Sequence, residues 1–193
     1  MIFLDKIQAL RETYDISECD VQDTVILYGI NNAINFCDHI IFSPMSAEVM
    51  QILIDSYKRT IPQELLTIYR TMNGCNLFYK NSWLDRAKIF FPFSSISIYG
   101  VPLTNTRDRY EPYNISLEDT DSPKGTPMNW LKFGSYSRPD TFPDWDDLYV
   151  DTDTGKVHAQ IHNDPQCTVT ESWESIDECL CAIFDLSSKH FCR

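Results

Sequence analysis

The sequence contains no apolar stretch of the roughly 18 residues that a membrane-spanning helix needs. Its start, MIFLDKIQALRETY, carries charges at Asp5 and Lys6 and lacks the arrangement of a signal peptide, so we expect a cytoplasmic protein. Internal repeats and low-complexity segments are also missing, and 193 residues fit one domain, 1–193, that can bury a core. Hydrophobic residues at 43% and aromatic residues at 13% favour a folded globule over a disordered chain.

Motifs that carry common chemistries are missing as well. The six glycines are scattered and form no phosphate-binding loop. The seven cysteines are odd in number and lack the paired spacing of a zinc site, so we expect reduced thiols without chemistry. His158 and His162 would lie about 13 Å apart on one strand face, too far to share a zinc ion without a bend. A nucleophile pair of Cys75 with His158 stays open, although nothing around Cys75 indicates a catalytic turn.

One stretch, Asp151-Thr-Asp153-Thr-Gly155, begins like a calcium-binding loop. Further hard-oxygen ligands precede it at Asp144, Asp146 and Asp147. However, Gly155 occupies a ligand position, and His162 stands where a bidentate glutamate belongs. Turn chemistry explains Asp153 and Gly155 without a metal. We therefore predict no metal, no cofactor and no catalytic residue.

Basic residues are scarce in one region only. Residues 140–185 contain 12 Asp and Glu side chains and a single base, Lys156, whereas residues 1–139 contain 16 acids and 13 bases. Most of the net charge of −12 therefore belongs to one region. Such a region repels phosphate backbones, which argues against direct nucleic-acid binding, and it attracts a basic protein partner. The alternative is a solvated surface that keeps the protein soluble.

Helical periodicity is clearest between Pro44 and Gly74. The pattern predicts two short helices, the first capped by Ser46 and the second opened by Pro62. Gly74 suits the left-handed residue that stops the second helix.

The residues before Pro44 show a weaker pattern. Residues 1–14 predict an amphipathic helix, and the apolar residues of 20–42 could form another, although Gly29 weakens it. We interpret 1–43 as a helical N-terminal extension.

After Gly74 the pattern changes from helical to extended. Strands are predicted at residues 77–79, 89–91, 95–99, 130–134, 148–151, 156–161 and 168–170, with a long loop insertion at 104–128. The strands 148–151 and 156–161 form a hairpin around Asp153 and Gly155. Ser172 is the predicted cap of a final helix that includes Trp173.

Several of these motifs occur in a characteristic order. Ile61, Pro62 and Glu64 open a helix that ends in Asn-Gly, and a strand with Phe133-Gly134 follows. A hairpin of the form L-Y-V-D…G-K-V and a closing S-W-E-S-I-x-E-x-L segment at residues 172–180 complete the series. In this order and spacing, over residues 44–186, the chain resembles the SUKH superfamily, which includes the Smi/Knr-type proteins.

The resemblance implies an α+β fold, with a mostly antiparallel β-sheet packed against N-terminal helices and one C-terminal helix. It also implies a function without catalysis, because the family has no shared catalytic constellation. Many bacterial members are immunity proteins that block a cognate polymorphic toxin, often a nuclease, and fungal members take part in cell-wall and signalling regulation. Our leading hypothesis is an immunity protein with a basic toxin domain as its partner. The alternative is an intracellular adaptor or regulatory protein-binding module of the Smi/Knr type.

The segment FPDWDD, residues 142–147, is the predicted contact site, as a loop beside the hairpin. Trp145 could enter the partner as an anchor while neighbouring carboxylates meet its basic groups. Alternatively, Trp145 folds back onto the core under a polar turn. Tyr149 and His158 would flank this surface on outward strand faces. The predicted partner-binding residues are Asp144, Trp145, Asp146, Asp147, Tyr149, Asp151 and His158.

Overall fold

The structure is a computed structural model, and it describes residues 1–13, 15–18, 25–28, 38–57, 60–79, 95–100, 125–137 and 145–191. The helices in these ranges are α1 (Ile2–Thr13), α2 (Ala47–Ser56), α3 (Gln63–Thr71) and α4 (Ile176–Phe191). The strands are β1 (Asp15–Glu18), β2 (Val25–Tyr28), β3 (Asp38–Ile41), β4 (Cys75–Tyr79), β5 (Ile96–Ile98), β6 (Trp130–Ser137), β7 (Trp145–Asp151), β8 (Val157–Ile161) and β9 (Val169–Trp173).

The described strands form one sheet whose spatial order, β1 to β9, is the same as their order in the chain. Every neighbouring pair is antiparallel. Helices and sheet together share one hydrophobic core that extends from Phe3 to Phe184. The predicted α+β fold class is confirmed. Among the described helices, none combines the length and apolar character that a bilayer crossing demands.

The helix-covered face of the sheet is built by alternate residues of the strands. Leu148 and Val150 of β7 are fully buried, and they pair with Ala159 and Val157 of β8. Because side chains alternate along a strand, these four residues point to the same side. The predicted hairpin is therefore confirmed.

Helices α2 and α3 follow their predicted positions with one difference at each end of α3. The Ser46 hydroxyl accepts a hydrogen bond from the Val49 N–H at 3.2 Å, which confirms the predicted cap. Pro62 lies just before α3, with ψ of 138°, and not within its first turn. Gly74 has φ of +87° but follows the helix by three residues, where the chain passes close to β5.

The first and last helices are joined by polar contacts at two levels. The Asp177 carboxylate of α4 accepts hydrogen bonds from the N–H groups of Ile2 and Phe3, at 3.0 and 2.9 Å. One turn further along α1, Lys6 forms an ion pair with Asp185 of α4 at 2.6 Å. The carboxylate of Asp177 thus lies at the positive end of α1, where it stabilises the helix dipole.

The predicted helix at residues 1–14 is confirmed, but the helical interpretation of the rest of 1–43 is wrong. Three strands, β1 to β3, occupy the described part of that segment. Ile41 of β3 is fully buried and pairs with Cys75 of β4, so this segment belongs to the sheet. Its Val-Ile-Leu run favours a pleated strand, because β-branched side chains are restricted in a helix.

Two predictions near the C-terminus also need correction. Trp145, Asp146 and Asp147 are the first residues of β7, so this half of FPDWDD is strand and not loop. β9 continues through Trp173, and α4 begins only at Ile176. Its N-terminal N–H groups are capped by Ser175, whose hydroxyl accepts from Glu178 N at 3.1 Å, and not by Ser172.

The remaining strand predictions divide into two groups. Those at 77–79, 95–99 and 130–134 coincide with β4, β5 and β6, and the one at 168–170 is the start of β9. The predictions for 89–91, for Asp144 and for 104–124 of the loop insertion fall outside the described residues.

Candidate functional site

The face of the sheet opposite the helices carries polar and aromatic side chains in register; we call it the polar face. One cross-strand row consists of Asn76, Ser97, Ser135, Asp147, Gln160 and Val169. The next row consists of Lys132, Tyr149, His158 and Ser172. Paired residues on adjacent strands share a face, so both rows lie on the side away from Leu148 and Val150.

A buried ion pair lies in the middle of the polar face. Lys132 Nζ is 2.9 Å from one carboxylate oxygen of Asp147, whose side chain is only 2% exposed. The other oxygen lies 2.9 Å from His162 Nδ1. Lys132 also lies over the Tyr99 ring, 5.7 Å from its centroid. A buried carboxylate needs such partners, because desolvation of an unpaired charge is expensive.

Trp145 begins β7 at one end of the polar face, and its side chain is 43% exposed. Its ring packs against the imidazole of His162 with centroids 4.4 Å apart. The Trp145 carbonyl also accepts a hydrogen bond from the His162 N–H at 3.1 Å. His162 is itself held by the Asp147 carboxylate. One side of the indole therefore packs against a fixed imidazole ring, and the indole stays half exposed to solvent. Val169, 42% exposed, lies at the same end of the face on the outermost described strand.

A second aromatic group lies towards the hairpin turn. The rings of Trp130 and His158 are stacked, with centroids 4.2 Å apart and planes 10° apart. Tyr149 packs against the same indole at 6.0 Å and is completely buried. Burial lowers the pKa of His158, an effect that Asp151 opposes and Lys156 reinforces. The imidazole is therefore neutral at pH 7.

His158 and Ser172 form a close pair, with Nδ1 and Oγ 2.8 Å apart. A nucleophilic serine needs a base whose second nitrogen is oriented by a third group. Asp151 is an acid whose charge acts on His158, but its Oδ1 accepts hydrogen bonds from Asn129 and from the N–H groups of residues 153 and 154, at 2.8 to 3.2 Å. In the described residues this pair therefore holds two strands together and is not arranged as a catalytic triad.

The pair of Cys75 with His158, left open by the sequence, does not form. Cys75 is fully buried in the core, on the helix-covered face, and burial raises the pKa of its thiol to about 12. The described cysteines are all free thiols. Within the described ranges, no three His, Cys, Asp or Glu side chains converge as a metal site would require.

The acidic region is not the array of free carboxylates that its sequence suggests. Its described acids mostly accept hydrogen bonds from nearby turns, helix ends and bases: Asp146, Asp147, Asp151, Asp153, Asp164, Glu174, Asp177, Glu178 and Asp185. Asp146 is 3% exposed and accepts from the Thr170 hydroxyl at 2.7 Å. Asp146 and Asp147, which are predicted to meet a partner, are both buried and bonded internally in this structure.

The structure brings five of the predicted contact residues to one face: Trp145, Asp147, Tyr149, Asp151 and His158. Asp146 points to the opposite side by strand alternation, and Asp144 lies outside the described residues. Tyr149 is on the predicted face but is buried, with its ring packed against that of Trp130.

The sequence interpretation missed three residues that define this site, namely Lys132, His162 and Val169. Extending the strand alternation back from Leu148 to Trp145 would have placed His162 beside Trp145. Lys132 and Val169 depend on the pairing of strands that are distant in the chain.

No protein-family model, curated protein or solved structure matches this chain.

Proposed function

We propose that this protein is an immunity protein of the SUKH type, which acts in the cytoplasm by binding and blocking a cognate toxin without catalysis. The family assignment is supported by the order of motifs from Ile61 to residue 180. The binding role is supported above all by one observation: Trp145 presents a half-exposed indole that is held in place by His162 and the buried Asp147.

A tryptophan in this situation is suited to anchor a protein partner. Tryptophan is enriched among the residues that dominate binding energy, because it removes a large apolar area from water. His162 fixes the ring before a partner arrives, so that less side-chain freedom is lost on binding. The same geometry leaves one side of the indole open to enter a pocket of the partner.

The overall charge supports a basic partner, such as the nuclease domain of a toxin. A net charge of −12 attracts a basic protein over long distances and speeds association, whether or not each carboxylate touches the partner. Asp146 and Asp147 contribute to this field from their buried positions, and direct contacts would fall to exposed acids such as Glu171.

An adaptor or regulatory module of the Smi/Knr type is the second candidate. It is favoured by the burial of Asp146 and Asp147, because a surface built mainly to compete with nucleic acid would display these carboxylates to solvent. In that case the Trp145 surface would bind a partner through apolar contact and would depend little on salt.

The test is co-expression of this protein with the product of the neighbouring toxin gene. We expect rescue of growth and a complex of the two purified proteins whose association slows as salt concentration rises. A neighbourhood without a toxin gene, together with salt-independent binding of another protein through Trp145, would contradict the immunity function and favour the adaptor.

A further inference from the structure

Strand β9 lies at one end of the sheet and pairs, within the described residues, only with β8. We propose that β9 receives an extended segment of the partner protein as an added strand, and that this segment carries basic side chains beside an apolar one. This inference rests on the proposed function, and it identifies β9 as the strand through which the partner protein would be bound.

The charge around β9 selects a basic segment. Glu171 is exposed at the centre of the strand, and Glu174 and Glu178 are exposed just beyond its end. Lys156 is the base beside them, and it is already paired with Glu174 at 2.9 Å. An incoming strand would lie about 4.8 Å away, where opposite charges on facing residues stabilise the pairing.

An apolar position of the segment would meet the Trp145 end of the polar face. Val169 begins β9, shares the face of Gln160 and is 42% exposed. Trp145 lies on β7 at the same end, separated from β9 by one strand. An apolar side chain of the added strand could therefore cover Val169 and extend towards the indole.

The strand is held rigidly enough to act as a template. On one side of the sheet, the Thr170 hydroxyl donates to Asp146 at 2.7 Å. On the other side, Ser172 is bonded to His158 at 2.8 Å. Asp146 and His158, predicted as contact residues, thus become positioning residues for β9. The strand also lacks proline and lysine, two residues by which natural sheet edges avoid pairing.

Charge disfavours a second copy of this chain as the occupant. If β9 paired with its own copy in an antiparallel arrangement about its centre, Glu171 would face the Glu171 of the other copy. Like charges directly opposite one another destabilise a strand pair. A basic segment has the opposite effect, so the same residue discriminates between the two occupants.

The probe for this site is a synthetic octapeptide of alternating lysine and valine, tested by backbone amide hydrogen exchange of the full chain. We expect the β9 amides to exchange about tenfold more slowly with the peptide bound. Glu171→Lys should weaken peptide binding by about tenfold, whereas Glu48→Lys, an equal change of charge in α2, should leave it nearly unchanged. Unchanged β9 exchange at saturating peptide, or equal protection by a glutamate–valine octapeptide, would overturn the inference.

Two further outcomes separate this inference from the proposed function. If Trp145→Ala abolishes toxin binding and Glu171→Lys does not alter it, the inference fails and the immunity function stands. If the peptide protects β9 but the chain neutralises no toxin, the immunity function fails and the strand-binding site stands. A dimer of the chain alone in which the β9 amides exchange more slowly as protein concentration rises would overturn the inference in favour of a second copy.

Discussion

The Glu64 carboxylate accepts a hydrogen bond from the backbone N–H of Ile176 at 2.9 Å. This contact joins the first turn of α3 to the first residue of α4, 112 positions later in the chain. A carboxylate at the N-terminus of a helix satisfies an unpaired N–H group and interacts favourably with the helix dipole. Glu64 therefore has a role that its position in the I-P-x-E motif does not reveal.

We expect Glu64→Ala to lower the free energy of unfolding by about 1–2 kcal/mol, because α4 loses this capping acceptor. Glu48→Ala is the matched control, since Glu48 is likewise an acid in the first turn of a helix. Its effect should stay below about 0.5 kcal/mol. Urea unfolding of both variants measures the difference, and equal effects would show that the contact to α4 is unimportant.

Two glycines with positive φ provide a test of close packing. Gly74 has φ of +87°, and a Cβ there would lie 2.4 Å from the carbonyl oxygen of Ile98. Gly155 has φ of +78° with nothing near the same position. Gly155→Ala should cost about 1 kcal/mol for its backbone conformation alone. Gly74→Ala should cost more than about 3 kcal/mol, because the backbone of β5 must also move. Similar unfolding midpoints for the two variants would contradict this geometry.

The pair of Lys132 and Asp147 should behave as a buried ion pair. Asp147→Asn leaves the Lys132 charge without its partner and should destabilise the fold by about 3 kcal/mol. Adding Lys132→Met should recover at least about 1 kcal/mol in a double-mutant cycle. The exposed pair of Lys156 with Glu174 is the control, and Glu174→Gln should cost less than about 1 kcal/mol. Additive effects of the two buried substitutions would argue against the pair.

His39 should make the stability of the fold depend on pH. It is fully buried, its Nδ1 accepts a hydrogen bond from the Phe78 N–H at 3.2 Å, and burial lowers its pKa from 6.5 to about 4. As pH falls below about 6.5, the unfolded chain binds a proton that the folded chain does not bind until about pH 4. Stability should therefore decrease across this window, by on the order of 3 kcal/mol. Urea titrations of the wild type and His39→Gln at several pH values measure it, and parallel curves would refute the role of His39.

Trp145 should dominate binding without contributing much to folding. We expect Trp145→Ala to weaken the complex with the toxin domain by about 30-fold, which corresponds to about 2 kcal/mol. Its unfolding free energy should fall by less than about 1 kcal/mol, because the ring is half exposed. Ile52→Ala is the control, since Ile52 is 66% exposed on α2. Calorimetric titration measures the affinity of each variant for the toxin domain. Equal losses of affinity in the two variants would show that Trp145 is not the main contact with the partner.

Local patterns were sufficient to predict much of the fold. Ser46 caps α2, the hairpin of β7 and β8 forms where it is predicted, and the α+β class follows from helices placed on both sides of a run of strands. These features depend on residues only a few positions apart. The helix interpretation of residues 20–42 failed because a short apolar run fits a strand as well as a helix, and strand partners decide between them.

The site was harder to predict than the fold. Asp146 and Asp147 follow a proline and an aspartate in a polar segment that is typical of a turn. They lie in a strand because Thr170, Lys132 and His162 supply partners that the local sequence does not contain. Whether a carboxylate faces water or the interior depends on such distant partners. A count of charges along the chain cannot supply that information.

The contacts of α1 with α4 set an order of events during synthesis. Successive strands pair with the strand made just before, so the sheet can grow as the chain leaves the ribosome. Phe3 and Lys6 must wait for Phe184 and Asp185, which are translated after all the described strands. Until then the first helix keeps an uncovered apolar side, and a nascent chain stalled before α4 would be a target for chaperones and proteases.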